Sequence, residues 1–496
     1  MAQLIYHSTR SINQAVTAAE AILSGIAADG GLYVPEKIPV LTTPLRELAR
    51  LDYRELAVTV LQLFLTDFTE EELRQAVVSA YNSRFDTAEI APVAEHGGVH
   101  YLELFHGPTL AFKDMALALL PYLMKMAARK TGLDKEVVIL TATSGDTGKA
   151  ALEAFAGVEG TRIIVFFPEQ GVSPVQKQHM VTQAGNNTSV IGIEGNFDDA
   201  QSGVKQLLTN KKLIDAMERK GLIFSSANSI NIGRLIPQVV YYWYSYLRVM
   251  KDGGVQAGEP LDFAVPTGNF GNILAGYYAK KMGLPVGTLI CASNENKVLS
   301  DFFAFGVYDK KREFYLTSSP SMDILISSNL ERLLWEICGK SSEHVACLMQ
   351  QLTSFGRYQI SEAMKKNLTD FLGGHATEEE TFQAIRRVQE KAGYLLDPHT
   401  AVAYSVWEKY RQRTGSKIPV VVVSTASPYK FTKDVMQAVD PKYANGEDFA
   451  LFAEMEKMTG VPVPVGVRGL ASQPVLHKRV CKKAEMQLVV ENILGL

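Results

Sequence analysis

From about Tyr101 onward, short apolar runs rich in β-branched residues alternate with longer amphipathic stretches. VVILTAT (137–143), RIIVFFP (162–168), SVIGIE (189–194), LDFAVP (261–266), GTLICAS (287–293) and IPVVVVSTA (418–426) read as strands. Several are apolar throughout, the pattern of a strand covered on both faces. Between them, the stretches that follow Lys113, Thr147 and Asn272 read as helices. Strands separated by helices predict an α/β architecture built on parallel sheet. The first hundred residues differ: LDYRELAVTVLQLFL and TEEELRQAVVSAYNSR carry a helical period and predict a separate, mostly helical N-terminal region. Farther along, Thr377 and Glu380 form a capping box ahead of FQAIRRVQEKAG, and Asp397-Pro398-His399-Thr400 opens another helix.

Composition then removes several classes of function. The 496 residues carry 50 basic against 53 acidic side chains, a net charge of −3, which gives no electrostatic footing for nucleic acid or an anionic membrane as main partner. A chain of this length outgrows a single core, so two or three domains are expected. The 4 cysteines are scattered without a CxxC pair, which argues against a disulfide framework and a zinc ribbon. Without a run of about 18 apolar residues, a membrane span is not expected. The expected protein is soluble and cytoplasmic and holds no metal.

In an open parallel sheet, ligands collect beyond the carboxyl ends of the strands, so the loops there carry the candidate chemistry. Thr141-Ala-Thr-Ser-Gly-Asp-Thr-Gly148 places hydroxyls and two glycines between a strand and a helix start, where an anion is favoured. It is not a nucleotide-binding P-loop, because Thr143 stands where the first glycine of that pattern belongs and Ala150 replaces its Ser/Thr. Pro266-Thr-Gly-Asn-Phe-Gly-Asn272 is a second such loop, able to form a nest of N–H donors for a phosphate monoester. Taken alone, its spacing also fits a turn that binds nothing. A third, Ser424-Thr-Ala-Ser-Pro-Tyr-Lys430, offers hydroxyls after a buried strand, or simply a capped turn.

Lys113 changes the balance. It begins an apolar helix, ALALLPYLMKMA, in a segment otherwise poor in charge. An amine in apolar surroundings has a lowered pKa and can form a Schiff base with an aldehyde. A phosphate nest and a buried lysine, with no metal-ligand cluster, point to a phosphorylated aldehyde cofactor, pyridoxal phosphate.

Six motifs in order, HGPTLAFKD (106–114), TATSGDTG (141–148), SANSINIGR (226–234), PTGNFGN (266–272), SMDI (321–324) and STASPYKF (424–431), resemble threonine synthases, as does GIAADGGLYVPE (25–36) near the start. The resemblance implies a fold-type II pyridoxal-phosphate enzyme (tryptophan synthase β-like) with two α/β domains plus the helical N-terminal region. The expected divisions are an N-terminal part at 1–98, a cofactor-bearing domain at 99–133 and 235–496, and a smaller α/β domain at 134–234. It implies conversion of O-phospho-L-homoserine and water to L-threonine and phosphate, by a monomer or homodimer. Lys113 would carry the cofactor and move protons at Cα and Cβ. Backbone donors of Gly268, Asn269, Phe270, Gly271 and Asn272 would hold its phosphate, and Thr425 with Ser424 its ring nitrogen. Ser144, Gly145, Asp146 and Thr147 would face the substrate carboxylate, with Asp146 needing to be protonated or turned away from the cofactor's phenolic oxygen. Arg234, after Asn231 in a polar run, would grip the substrate phosphate, with Lys149 as the other candidate. Two alternatives stay open: a related lyase that releases 2-oxobutyrate, and a non-catalytic amino-acid-binding relative.

Overall fold

The computed structural model describes residues 3–143, 145–169 and 172–496. Among the described residues, two sheets form the body. The larger runs in the order Phe371–His375, Val286–Ser293, Leu261–Pro266, Val420–Ser424, Val99–Glu103, Val93–His96. It is parallel except at its last strand, which turns back on Val99–Glu103 through Gly97 and Gly98, at φ 60° and 77°. The smaller runs Arg479–Lys482, Thr188–Glu194, Thr161–Pro168, Glu136–Ala142, Leu222–Ser225 and is parallel throughout.

The continuous apolar strands are explained by burial on two sides. Along Glu136–Ala142, Val137 and Ile139 join one core, while Val138 and Leu140 join another across the sheet. In Val420–Ser424 the same division separates Val421 and Val423 from Val420 and Val422. Alternate side chains of a strand point to opposite faces, so a strand sandwiched between helices must be apolar at every position. The helix Ile232–Lys251 is apolar almost all round for a related reason: it runs through the interior, with Ile232 to Leu247 all buried. Thr377 and Glu380 form their reciprocal cap, and Pro398 occupies the first turn of Pro398–Thr414 behind the cap residue Asp397.

Three features refine the expected organisation. The N-terminal part has the helices Tyr53–Phe64 and Glu70–Ala80, but it also carries an antiparallel sheet of Ser11–Val16, Tyr6–Ser8 and Tyr33–Pro35. These strands are three to six residues long, too short for a period of two to stand out. A boundary at residue 98 cuts the hairpin that joins Val93–His96 to Val99–Glu103. Nor does everything from 235 to 496 belong with the larger sheet. Arg479–Lys482 adds an edge strand to the smaller one, and Met486, Val489, Val490 and Leu494 of the final helix, Met486–Leu494, complete its core. No helix among the described residues is long and apolar enough to cross a membrane.

The closing helix supplies a direct check. Val490 is fully buried whereas Leu488, on the same helix, is 60% exposed. Val490→Asp, which buries an unpaired charge, is expected to lower the melting temperature by several degrees or more, and Leu488→Asp to change stability by no more than about 0.5 kcal/mol. Thermal unfolding followed by circular dichroism compares the two.

Candidate active site

Lys113, Asp146 at the start of the helix Asp146–Phe155 and Lys430 beyond Val420–Ser424 meet at one place. The turn that carries Lys113 is built by its own motif. Asp114 is buried and accepts both the N–H (2.8 Å) and the hydroxyl (2.6 Å) of Thr109, which closes the loop at Gly107 and Pro108. Burial raises the Asp114 pKa to about 6, against the pull of those bonds. Residues 110–112 then lie along 425–427: Phe112 N–H donates to Thr425 O at 2.8 Å, Ser427 N–H to Leu110 O at 3.0 Å, and Ala111 bridges Ala426. Lys113 is thereby tied to the end of a central strand.

The amine of Lys113 is buried, and burial lowers its pKa to about 8; Asp146, 4.0 Å away through Oδ2, pulls it up, while Lys430 and Arg234 push it down. Asp146 begins the helix Asp146–Phe155. Its Oδ1 meets Lys430 Nζ at 2.7 Å and Gln176 Nε2 at 3.0 Å, and Ser321 Oγ stands 3.3 Å from Oδ2. Burial alone would raise the pKa of this carboxyl, but Lys430 first and then Lys113 hold it far below the usual carboxylate range. Asp146 is thus held as an anion on Lys430.

The loop after Leu261–Pro266 presents donors rather than charge. Ser327 Oγ donates to Gly268 O (2.7 Å), and the backbone N–H and the side chain of Asn329 donate to Asn269 O (3.1 and 3.0 Å). With those carbonyls turned outward, Phe270 takes φ 65° and the helix Gly271–Lys281 begins. No described residue accepts from the N–H groups of Gly268, Asn269, Phe270, Gly271 or Asn272. A Cβ on Gly268 would stand 2.7 Å from the carbonyl oxygen of Ser321, so only glycine lets this loop pass. A row of free N–H groups at a helix start, close to a buried amine, fits a phosphorylated aldehyde. Asn272 adds a side-chain donor to that row: its Oδ1 accepts the hydroxyls of Tyr241 (2.7 Å) and Tyr242 (2.8 Å), while its buried Nδ2 has no partner among the described residues. Ser424 and Thr425 are both buried at the end of their strand, beside the Lys113 turn.

Other expected site residues are placed less simply. Ser144 lies outside the described residues. Gly145 has φ 140°, a conformation open to glycine, but its N–H is spent on Thr143 Oγ1 (3.0 Å), which also receives Gly148 N–H (2.8 Å). Thr147 stands half-buried in the first helical turn. Asn231 caps the helix Ile232–Lys251: its amide donates to Ile22 O and Ser226 O (2.9 Å each) and its oxygen accepts Gly233 N–H (2.8 Å). Lys149 is engaged by Glu153 at 3.1 Å and by Gln183, so it offers no free cation. Arg234 differs: it is buried, donates Nη1–H to Ala227 O at 2.6 Å, and its Nε finds no partner. Burial lowers its pKa to about 10, which still leaves it a cation at neutral pH.

Lys430, Gln176 and His399 were not expected at the site. His399 accepts Ser321 N–H at Nε2 (3.2 Å), while its Nδ1 faces Asp397 Oδ1 at 2.9 Å. Lys430 had a legible signal, a lone charge after a buried strand, the same one that marked Lys113. Among the described residues, no group of three or more His, Cys, Asp or Glu could hold a metal ion.

Profiles of known families match nearly end to end. Residues 5–81 match the threonine synthase N terminus, residues 91–426 the pyridoxal-phosphate dependent enzymes, and residues 400–470 the threonine synthase C-terminal region. Fold and site together define a pyridoxal-phosphate-dependent enzyme of fold type II. The PLP-bound threonine synthase structure from Brucella melitensis superposes with a TM-score of 0.87 at 38% identity, covering 99% of each chain. The yeast threonine synthase structure gives 0.89 at 31% identity, covering 100% of this chain and 99% of the other. The chain belongs to the threonine synthase family. It is 39% identical over 444 residues to threonine synthase of Pseudomonas aeruginosa, covering 87% of this chain and 90% of that one. It is 40% identical over 439 residues to human threonine synthase-like 1, covering 86% of this chain but spanning only 58% of that relative's length.

Two outcomes follow from this geometry. Gly268→Ala, driven against a backbone oxygen, is expected to destabilise the cofactor-free protein by about 1–3 kcal/mol. Gly271→Ala, whose nearest neighbour stands at an ordinary 3.5 Å, is expected to leave that stability unchanged in the same denaturant melt. The second outcome concerns His106, which meets Asp86 at 2.5 Å and Glu103 at 2.8 Å. Burial opposes its proton, but the two carboxylates outweigh it and raise the pKa to about 9. A folded-state pKa above the unfolded one, about 6.5, stabilises fully below pH 6.5 and is lost as pH rises through about 9. His106→Asn is expected to remove that fall in melting temperature between pH 6.5 and 9.

Proposed function

We propose that the protein is a threonine synthase, converting O-phospho-L-homoserine and water to L-threonine and inorganic phosphate. The observation that carries this reading is the pairing of a buried, readily deprotonated Lys113 with a buried guanidinium, Arg234, whose Nε lacks a partner. Nearly end-to-end family membership supports it.

Pyridoxal phosphate, when bound, supplies an aldehyde that captures an amine and a ring that takes up the electron pair left by proton removal. Lys113 Nζ would hold that aldehyde and, once released, would take the proton from the substrate Cα; its pKa of about 8 suits both acceptance and return near neutral pH. The free N–H groups of Gly268 to Asn272 would hold the cofactor phosphate with help from the helix dipole. The hydroxyls of Ser424 and Thr425 would serve the ring nitrogen. The backbone at the start of Asp146–Phe155, where Thr147 stands, receives the substrate carboxylate, and Arg234 receives the phosphate that leaves from Cγ. A proton would leave Cβ as the phosphate departs from Cγ, Cγ would take up a proton, and water would add at Cβ with a proton returned to Cα.

The 40% identity to a relative named threonine synthase-like 1, not threonine synthase, is the reason to test a second reading, a lyase that eliminates phosphate and releases 2-oxobutyrate. It uses the same lysine, so the product separates the two. Purified protein given O-phospho-L-homoserine is expected to yield threonine and phosphate in equal amounts by chromatography and phosphate assay; 2-oxobutyrate alone would remove the synthase assignment. Lys113→Ala is expected to lose the visible absorbance of the bound cofactor and to reduce kcat by about 10³-fold or more.

A further inference from the structure

Lys430 has no part in the reaction as proposed, yet it is fully buried and charged groups crowd around it. It ends the turn Pro428–Lys430, capped by Ser427, just beyond the strand Val420–Ser424. Its Nζ donates to Thr109 O at 2.8 Å and meets Asp146 Oδ1 at 2.7 Å. Thr109 is the residue that Asp114 clamps, so Lys430 also grips the turn that carries Lys113. The other oxygen of Asp146 stands 4.0 Å from Lys113 Nζ.

A buried carboxylate beside a single buried lysine closes on it as a tight pair, because neither charge has water to turn to. An ammonium held in that way has no lone pair with which to attack an aldehyde or accept a proton. Here Asp146 is already engaged through Oδ1 by Lys430 and Gln176. We propose that Lys430 is a positioning residue: it holds Asp146 as a neutral pair, so the carboxylate cannot close on Lys113 and the Lys113 amine is left free to meet the cofactor aldehyde. The inference rests on the assignment of Lys113 as the cofactor-bearing lysine.

The charges that face Lys113 are Asp146 and Asp114, which favour its protonated form, and Lys430 and Arg234, which oppose it. Arg234 and Asp114 are fixed by their own partners, Ala227 O and Thr109. His179 also faces Lys430 and Asp146, but burial, followed by Lys430 and Lys149, lowers its pKa to about 3, so it brings no charge near neutral pH. Removing Lys430 therefore leaves Asp146 to act on Lys113 uncompensated.

The test reads Lys113 itself. The full-length protein, stripped of cofactor and checked for fold by circular dichroism, is labelled with a trace of acetic anhydride across pH 6 to 11. Mass spectrometry of the Lys113 peptide then gives its half-protonation point. The native protein is expected near pH 8. Lys430→Met is expected to raise that point by one pH unit or more, a tenfold loss of free amine at pH 7, and to slow re-formation of the visible absorbance with added pyridoxal phosphate in proportion. Lys430→Arg is expected to restore the native profile. An unchanged profile in Lys430→Met would overturn the proposal. If that variant does not fold, Lys430→Gln, which keeps a donor for Asp146 and Thr109 O but no charge, takes its place: a raised half-protonation point supports the proposal and an unchanged one overturns it. In an Asp146→Asn background the substitution at Lys430 is expected to lose most of its effect, and a full effect there would overturn the proposal. Loss of visible absorbance in Lys113→Ala tests the underlying assignment separately, so the two failures are distinguishable.

Discussion

A single buried carboxylate, Asp146, is the point on which the site depends. Lys430 and Lys113 come from segments that follow the paired strands Val420–Ser424 and Val99–Glu103 of the larger sheet. Asp146 itself opens a helix that follows a strand of the smaller sheet, where the helix dipole also favours its negative charge. Gln176 and Ser321 approach from two further segments. An unpaired buried carboxylate is strongly destabilising, so these five segments reach their low-energy arrangement together or not at all. Fold and chemistry are coupled at that point. Burial is the first cause of the low basicity of Lys113; within the pair that satisfies the buried carboxylate, Asp146 opposes it and Lys430 reinforces it.

Around this centre the chain handles anions in two ways, neither of which needs a basic composition. At Gly268 to Asn272 the backbone carbonyls are bonded away by Ser327 and Asn329, which leaves a row of N–H groups without acceptors. At Arg234 a single guanidinium is buried with one nitrogen unpartnered. A chain with a net charge of −3 thus carries two local sites suited to phosphate. The proposed substrate and cofactor bring one phosphate each.

Much of this was legible in the sequence, for identifiable reasons. The central strands of both sheets are apolar because helices cover both faces, so Val137–Leu140 and Val420–Val423 stood out as uniform runs. Lys113 stood out as a charge in an apolar stretch. What escaped lay in long-range pairing. Arg479–Lys482 is a short edge strand with exposed residues, and only its partner Thr188–Glu194 makes it part of the smaller sheet. Gln176 carries no local mark, since its role is a bond to a residue far away in sequence. His399 read as part of a helix opening, which it is, and its contact with Ser321 could not be seen from the spacing. Asn231, a polar residue beside a candidate arginine, serves as a helix cap.

The account stands most directly on the protonation of one amine. NMR of the cofactor-free protein labelled at lysine Nζ and Cε, with Lys113 assigned through Lys113→Arg, follows that group alone as pH changes. The account predicts a titration midpoint near pH 8. A midpoint near the ordinary lysine value of 10.5 would show that Asp146 pairs with Lys113 as a plain salt bridge, and would contradict it.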